Sequence, residues 1–310
     1  MIQFGIICRK FSSSSTVQSA IKNVTIIGGG LMGSGIAQVT AQAGQDVTLV
    51  DVNSDVLAKS QKSISNSLNK ISKKIYKDNP QEAEKFAKEA FARIKISTDP
   101  VSAVKETDLV IEAIVENLEV KHSLFQKLDN AAPAHTIFTS NTSSLSINEI
   151  ASVVKRKDKF GGLHFFNPVP IMRLLEVVRG MDTTDITFRT MMDWGKSVGK
   201  TCVSCKDTPG FIVNRLLVPY IAEAIRLLER GDASARDIDI AMKLGAAYPM
   251  GPIELADYVG LDTTKFILDG WAKKYPDQAL FRPIHTLNKL VSEGKLGVKS
   301  GEGFYKYEKK

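Results

Sequence analysis

Three cysteines in 310 residues are far too few to build a disulfide scaffold. No run reaches the ~18 consecutive apolar residues that a membrane span requires, so no span is expected. One sign of charge is missing from the start of the chain, where no acidic residue precedes Asp46. The remaining composition is ordinary. Hydrophobic residues make 43% and charged residues 24%, which excludes a disordered chain. Lys+Arg number 41 against 34 Asp+Glu, a net +7 that suits an anionic small molecule as readily as a nucleic acid.

The acid-free start carries Arg9, Lys10 and Lys22 and the run Ser12-Ser13-Ser14-Ser15. Basic, serine-rich and acid-poor is the composition of an organelle transit peptide. Residues 1–20 are therefore expected to be a removed mitochondrial presequence, with Arg9-Lys10-Phe11-Ser12 near the cut; a frayed tail is the alternative. The remainder is long enough for two domains.

Lys22 to Ile27 reads as a short buried strand running into Gly28-Gly29-Gly30-Leu31-Met32-Gly33, then a helix over 34–43 ended by Gly44. A second strand, 46–50, ends in Asp51, 23 residues after Gly28. A glycine loop between strand and helix, followed by such an acid, is the dinucleotide-binding fingerprint. Gly28 permits the tight turn, Gly30 lets backbone approach a pyrophosphate, and Gly33 lets the helix pack on the strand. The helix N-terminus offers N–H groups to the diphosphate. Asp51 would accept from the adenosine ribose and repel a 2′-phosphate, which favours NAD over NADP.

Strand and helix patterns then alternate. Strands are expected over 108–115, 136–139, 160–166, 173–178 and 201–206, with a helix over 118–130. The fold class predicted is α/β, a Rossmann-like dinucleotide-binding domain over 21–206 with a helical insertion at 53–93. An all-α substrate and dimerisation domain follows over 207–310. Ligands in such sheets bind beyond the carboxyl ends of the strands. Gly28–Gly33, Asp51, Glu116, Ser140–Ser143 and His164–Asn167 all fall there. Glu112, in the middle of its expected strand, has no evident role.

Between Val56 and Lys77 stand six lysines and no acid, with Ile64, Leu68, Ile71 and Ile75 forming one apolar stripe. The lysines are either a solvated surface or a docking face for a multiply phosphorylated ligand, with Ser67 and Lys74 on one border of the stripe. The absence of interleaved aromatics argues against nucleic acid.

Of four histidines, His164 lies near the end of an apolar strand facing the expected crevice. Glu176, embedded in Leu174-Leu175-Glu176-Val177-Val178, is a carboxylate that burial would make costly without a partner. His164, across the Asn167-Pro168-Val169-Pro170 turn, is the nearest partner. Such a pair orients an imidazole for removing an alcohol proton; the alternative is a Glu satisfied by backbone N–H groups. Cys202-Val203-Ser204-Cys205 lies in a strand pattern that points the two thiols to opposite faces, and no second pair completes a zinc set, so no metal is expected. After Asp207-Thr208-Pro209-Gly210 the pattern becomes helical over 211–230, 235–244 and 263–274.

Together, Gly28-Gly29-Gly30-Leu31-Met32-Gly33-Ser34-Gly35, Ser140-Asn141-Thr142-Ser143-Ser144, Gly162-Leu163-His164-Phe165-Phe166-Asn167-Pro168, Asp207-Thr208-Pro209-Gly210-Phe211-Ile212-Val213-Asn214-Arg215 and Gly301-Glu302-Gly303-Phe304-Tyr305 resemble the short-chain L-3-hydroxyacyl-CoA dehydrogenases of mitochondrial fatty-acid β-oxidation. The resemblance spans roughly Lys22 to Tyr307. It implies a catalytic base at His164 partnered by Glu176, with Ser143 and Asn214 near the reacting oxygen. It implies NAD contacts at Asp51, Glu116, Lys121, Ser143, Asn167 and Lys299, and coenzyme A contacts at Ser67, Lys74 and Ser143. It also implies a homodimer formed through the helical domain and residence in the mitochondrial matrix. Two rival readings are a related 3-hydroxyacid dehydrogenase working through a lysine, and a non-enzymatic NAD-binding protein on the same fold.

Overall fold

The computed structural model describes residues 21–308. The expected presequence lies outside the described residues. Contacts divide the chain into two compact units, one ending at Asp207 and one beginning at Thr208.

The first unit opens with β1 (Asn23–Ile27), α1 (Leu31–Gln42) and β2 (Asp46–Val50). Two helices, α2 (Ser54–Ile75) and α3 (Pro80–Ala92), fill the connection to β3 (Ile94–Ser97). The Asn53 and Asn79 side chains cap them, accepting from the N–H groups of Asp55 and Glu82. The chain continues through α4 (Pro100–Ala103), β4 (Leu109–Glu112), α5 (Leu118–Ala131), β5 (Ile137–Ser140) and α6 (Ile147–Ala151). It ends with β6 (Phe160–Phe165), β7 (Leu174–Arg179), α7 (Asp185–Ser197) and β8 (Thr201–Lys206).

These strands form one sheet in the order β3-β2-β1-β4-β5-β6-β7-β8. The first six run parallel; β7 returns antiparallel to β6, and β8 pairs parallel to β7 through the crossover helix α7. Residues of β4, β5 and β6 are buried throughout, as expected where helices cover both faces of a parallel sheet. The strand order reverses between β1 and β4, which opens a crevice at their carboxyl ends.

Two expectations for this unit are corrected. The strand expected to reach Val115 stops at Glu112, because the Ile114 N–H turns back to the Glu112 carboxylate at 2.8 Å rather than joining a neighbouring strand. On α2 the buried face runs through Leu57, Ile64, Leu68 and Ser72, while Ile75 is 49% exposed. Tyr76 closes that end instead, its ring 5.7 Å from Phe86 of α3.

The second unit is helical: α8 (Val213–Glu229), α9 (Ala235–Gly245), α10 (Pro252–Val259), α11 (Leu261–Lys274) and α12 (His285–Ser292). The helix expected from Phe211 starts later because Phe211 has φ 53°, outside helical space. Ile221, Ile225, Ile253, Leu261 and Trp271 centre its core. Two buried acids pin the C-terminal segment. Asp239 accepts from Ile253 N–H and Tyr305 O–H, and Asp257 accepts from Phe304 N–H and Tyr305 N–H.

Candidate active site

The glycine loop sits between β1 and α1. Gly28 has φ 113°, and a Cβ there would lie 2.4 Å from the Ala113 carbonyl oxygen, so only glycine fits. Helix and strand meet as closely at Gly33, where a Cβ would fall 1.8 Å from the Gly28 carbonyl. A Cβ on Gly30 would meet nothing within 4 Å. The loop therefore faces open space where backbone N–H groups at the start of α1 can meet phosphate. Asp51 accepts from Gly29 N–H at 2.8 Å and Asn53 N–H at 3.0 Å, which ties the end of β2 to the loop. A glycine cradle, a helix N-terminus and an acid at the next strand end fit a dinucleotide.

Glu112, which had no evident role in the sequence, anchors the neighbouring loops. It is fully buried at the end of β4, accepting from Lys121 Nζ at 2.6 Å and Ser140 Oγ at 2.5 Å. Lys121 is also 3.2 Å from Glu116 and is only 1% exposed, so its ammonium is enclosed between two carboxylates. Glu116 in turn accepts from Thr142 Oγ1 at 2.6 Å and from the N–H groups of Ser143 and Ser144. Burial pushes the Glu116 carboxyl toward protonation, but the Lys121 charge and these donors outweigh it and hold it below the usual glutamate range. One charged cluster thus ties β4, α5 and the Ser140–Ser144 loop together. The only sequence signal for it was an acid in a strand pattern nine residues before a lysine.

His164 and Glu176 are directly opposite each other across the antiparallel β6–β7 pair. The imidazole Nδ1 lies 2.7 Å from Glu176 Oε2, with His164 5% exposed and Glu176 fully buried. A carboxylate only accepts, so Nδ1 is the donor in this contact and Nε2 is the ring nitrogen turned away from Glu176. The strand holding His164 is linked to the serine loop, since Phe165 N–H donates to Asn141 Oδ1 at 2.8 Å.

A cleft of about 580 Å³ opens in the same unit between α1, α2 and the loop after β6. Gly30 and Leu31 lie at one part of it, Ser67 and Lys74 at another, and Asn167 in the loop wall. The spacing of Lys59, Ser63, Ser67, Lys70 and Lys74 puts them on one side of α2. Three of the six lysines thus line the cleft rather than spreading evenly over a solvent face. Among the expected site residues, the structure brings Gly28–Gly33 and Asp51 into one group, and Glu116, Lys121 and Ser143 into a second. His164 and Glu176 form a third. In the second unit, Asn214 is the second residue of α8, and Lys299 donates to Asp262 at 2.6 Å.

The C-x-x-C pair does not converge. Cys205 Sγ points to the Val177 carbonyl, whereas Cys202 Sγ lies against Gly195 of α7. Burial pushes both thiols up, to about 11 for Cys202 and about 12 for Cys205, away from thiolate chemistry.

Comparison with known proteins gives concordant matches. The family described as "3-hydroxyacyl-CoA dehydrogenase, NAD binding domain" matches residues 23–208, and "3-hydroxyacyl-CoA dehydrogenase, C-terminal domain" matches 210–307. The chain is 58% identical over 305 residues to the mitochondrial hydroxyacyl-coenzyme A dehydrogenase of Sus scrofa, covering 97% of both chains. It is 43% identical to a probable 3-hydroxybutyryl-CoA dehydrogenase of Bacillus subtilis, over 94% of this chain and 99% of that one. Among solved structures it resembles the (S)-3-hydroxybutyryl-CoA dehydrogenase of Ralstonia eutropha. That match has a TM-score of 0.88 at 40% identity and covers 94% of this chain and all of the other.

Proposed function

The chain belongs to the 3-hydroxyacyl-CoA dehydrogenase family, and from that premise we propose that His164, steadied by Glu176, is the base that removes the 3-hydroxyl proton. The protein is an NAD-dependent oxidoreductase converting 3-hydroxyacyl-CoA to 3-ketoacyl-CoA, a step of fatty-acid oxidation. Bound NAD supplies the acceptor for the hydride that leaves C3. His164 Nε2 takes the hydroxyl proton as that hydrogen departs, and in the reverse direction the imidazolium returns it. Glu176 keeps the ring in the required tautomer and offsets its charge once protonated. Ser143 holds the oxygen as it becomes a carbonyl.

Asp51 takes the adenosine ribose, the Gly28–Gly33 loop with Leu31 and Met32 the diphosphate side, and Glu116, Ser143 and Asn167 complete the NAD contacts, with the buried Lys121 acting through Glu116. Ser67 and Lys74 take the coenzyme A moiety; their place on the wall of the cleft supports this. Close relatives are named mitochondrial, which supports a mitochondrial location, and we assign the matrix within it. The helical unit carries large exposed apolar side chains, including Leu216, Leu244, Tyr258 and Phe266, a surface suited to a second copy of the chain.

The observation that carries the catalytic reading is the buried 2.7 Å His164–Glu176 contact. Its test is NADH oxidation with acetoacetyl-CoA. His164→Gln should lower kcat by ~10²–10⁴, the usual worth of a general base. Near-normal turnover in that variant would remove His164 from the mechanism. Turnover of the free 3-hydroxyacid in preference to the thioester would favour the lysine-dependent rival.

A further inference from the structure

We propose that Lys200, which lines neither the cleft nor the proton-transfer pair, is a positioning residue that holds the Asn167–Met172 loop in the shape the cofactor and thioester require. The side chain lies between α7 and β8 and is 8% exposed. Its Nζ donates to the Val169 carbonyl and, at 2.8 Å, to the Met172 carbonyl. It also sits 5.9 Å from the centre of the Phe165 ring, next to His164. Both acceptors belong to the segment that leaves the histidine strand. The same loop is tightened from within, because the N–H groups of Ile171 and Met172 both return to the Pro168 carbonyl.

On its outer side this loop is the wall of the cleft: Asn167, Pro168, Val169, Pro170 and Ile171 all line it, facing Ser67 and Lys74. It lies against helix α1 with no room to spare, since a Cβ on Gly35 would be 2.7 Å from Val169 Cβ. Gly35 limits the loop from the α1 side and Lys200 ties its carbonyls from the other. A buried ammonium whose hydrogen bonds, among the described residues, go to neutral carbonyls is an expensive tie. Burial accordingly lowers the Lys200 ammonium to about 8. For a turn that must not drift, charge-assisted bonds from a single donor to two carbonyls give rigidity that an apolar side chain cannot.

This inference rests on the functional reading above, and the test separates the two. Lys200→Met and Lys200→Gln are made in the full chain and assayed with NADH and acetoacetyl-CoA, and hydrogen exchange is followed without ligand. Lys200→Met should raise KM for both ligands about tenfold while kcat changes less than about threefold, with Lys200→Gln between it and the parent. Exchange should quicken in the peptide spanning 166–173 and stay unchanged over β1 and β4. That local exchange difference does not depend on which substrate the enzyme uses. Unchanged KM values with unchanged loop exchange would overturn the proposal. Exchange quickened throughout the chain, or failure of both variants to fold, would also overturn it by making Lys200 a general structural residue.

Discussion

Replacing Glu176 by Gln keeps the size of the side chain and removes only its charge and its purely accepting character. The native contact is a charge-assisted hydrogen bond of 2.7 Å between groups that are almost wholly buried. Such bonds are worth about 1.5–3 kcal/mol, against about 0.5–1.5 for neutral ones, so roughly 1–2 kcal/mol is lost directly. A larger loss follows from the proton. The Gln amide can donate to Nδ1, which moves the imidazole proton to Nε2 and takes away the lone pair that must receive the hydroxyl proton. The two effects together should cost about 3–4 kcal/mol in the transition state, or ~10²–10³ in kcat at 1.36 kcal/mol per decade. KM for acetoacetyl-CoA and NADH should stay within about threefold, because the buried pair binds neither ligand remotely. Steady-state NADH oxidation measures both constants. A kcat reduced by less than about threefold, or a rise in KM alone, would show that the carboxylate does not orient the base.

Three further outcomes are expected. Asp51→Ala should raise KM for NAD and narrow the preference over NADP, both by about tenfold, measured as the ratio of kcat/KM values; an unchanged ratio would separate Asp51 from cofactor choice. Glu112→Ala leaves Lys121 buried with Glu116 alone and should destabilise the fold by about 3 kcal/mol, read from the denaturant midpoint; a loss under about 1 kcal/mol would mean that water reaches the ammonium. Glu116 ionises more readily folded than unfolded, so it contributes stability above the ordinary value of 4.5 that is lost as pH falls through its lower folded value. Glu116→Gln should therefore flatten the loss of thermal stability on acidification below that pH, and an unaltered acid limb would contradict the assignment.

The parts of the site readable in the sequence are those with local rules. The glycine loop is local because tight turns and close packing at Gly28 and Gly33 admit no side chain. The His164–Glu176 pair was legible because an acid in an apolar strand demands a partner. Glu112 was opaque for a related reason. Its partners Lys121 and Ser140 come from the next helix and the next strand, and only the parallel β4–β5 ladder makes them neighbours. On α2 the periodicity located the helix, but burial is decided by α3, which displaces the end of the stripe from Ile75 to Tyr76. Helices α10 and α12 escaped notice because they are eight residues each, too short for a period to stand out.

The antiparallel register of β6 and β7 places the His164 imidazole and the Glu176 carboxylate on facing rungs of one backbone ladder. Their distance is fixed by strand pairing, so the intervening connection is not what brings them together. That connection is also the stretch bordering the cleft beside α1 and α2. Grafting a different connection there should reshape the cleft wall while the His164–Glu176 pair stays aligned. The fold thereby lets the cleft wall vary in sequence and length without moving the two paired side chains.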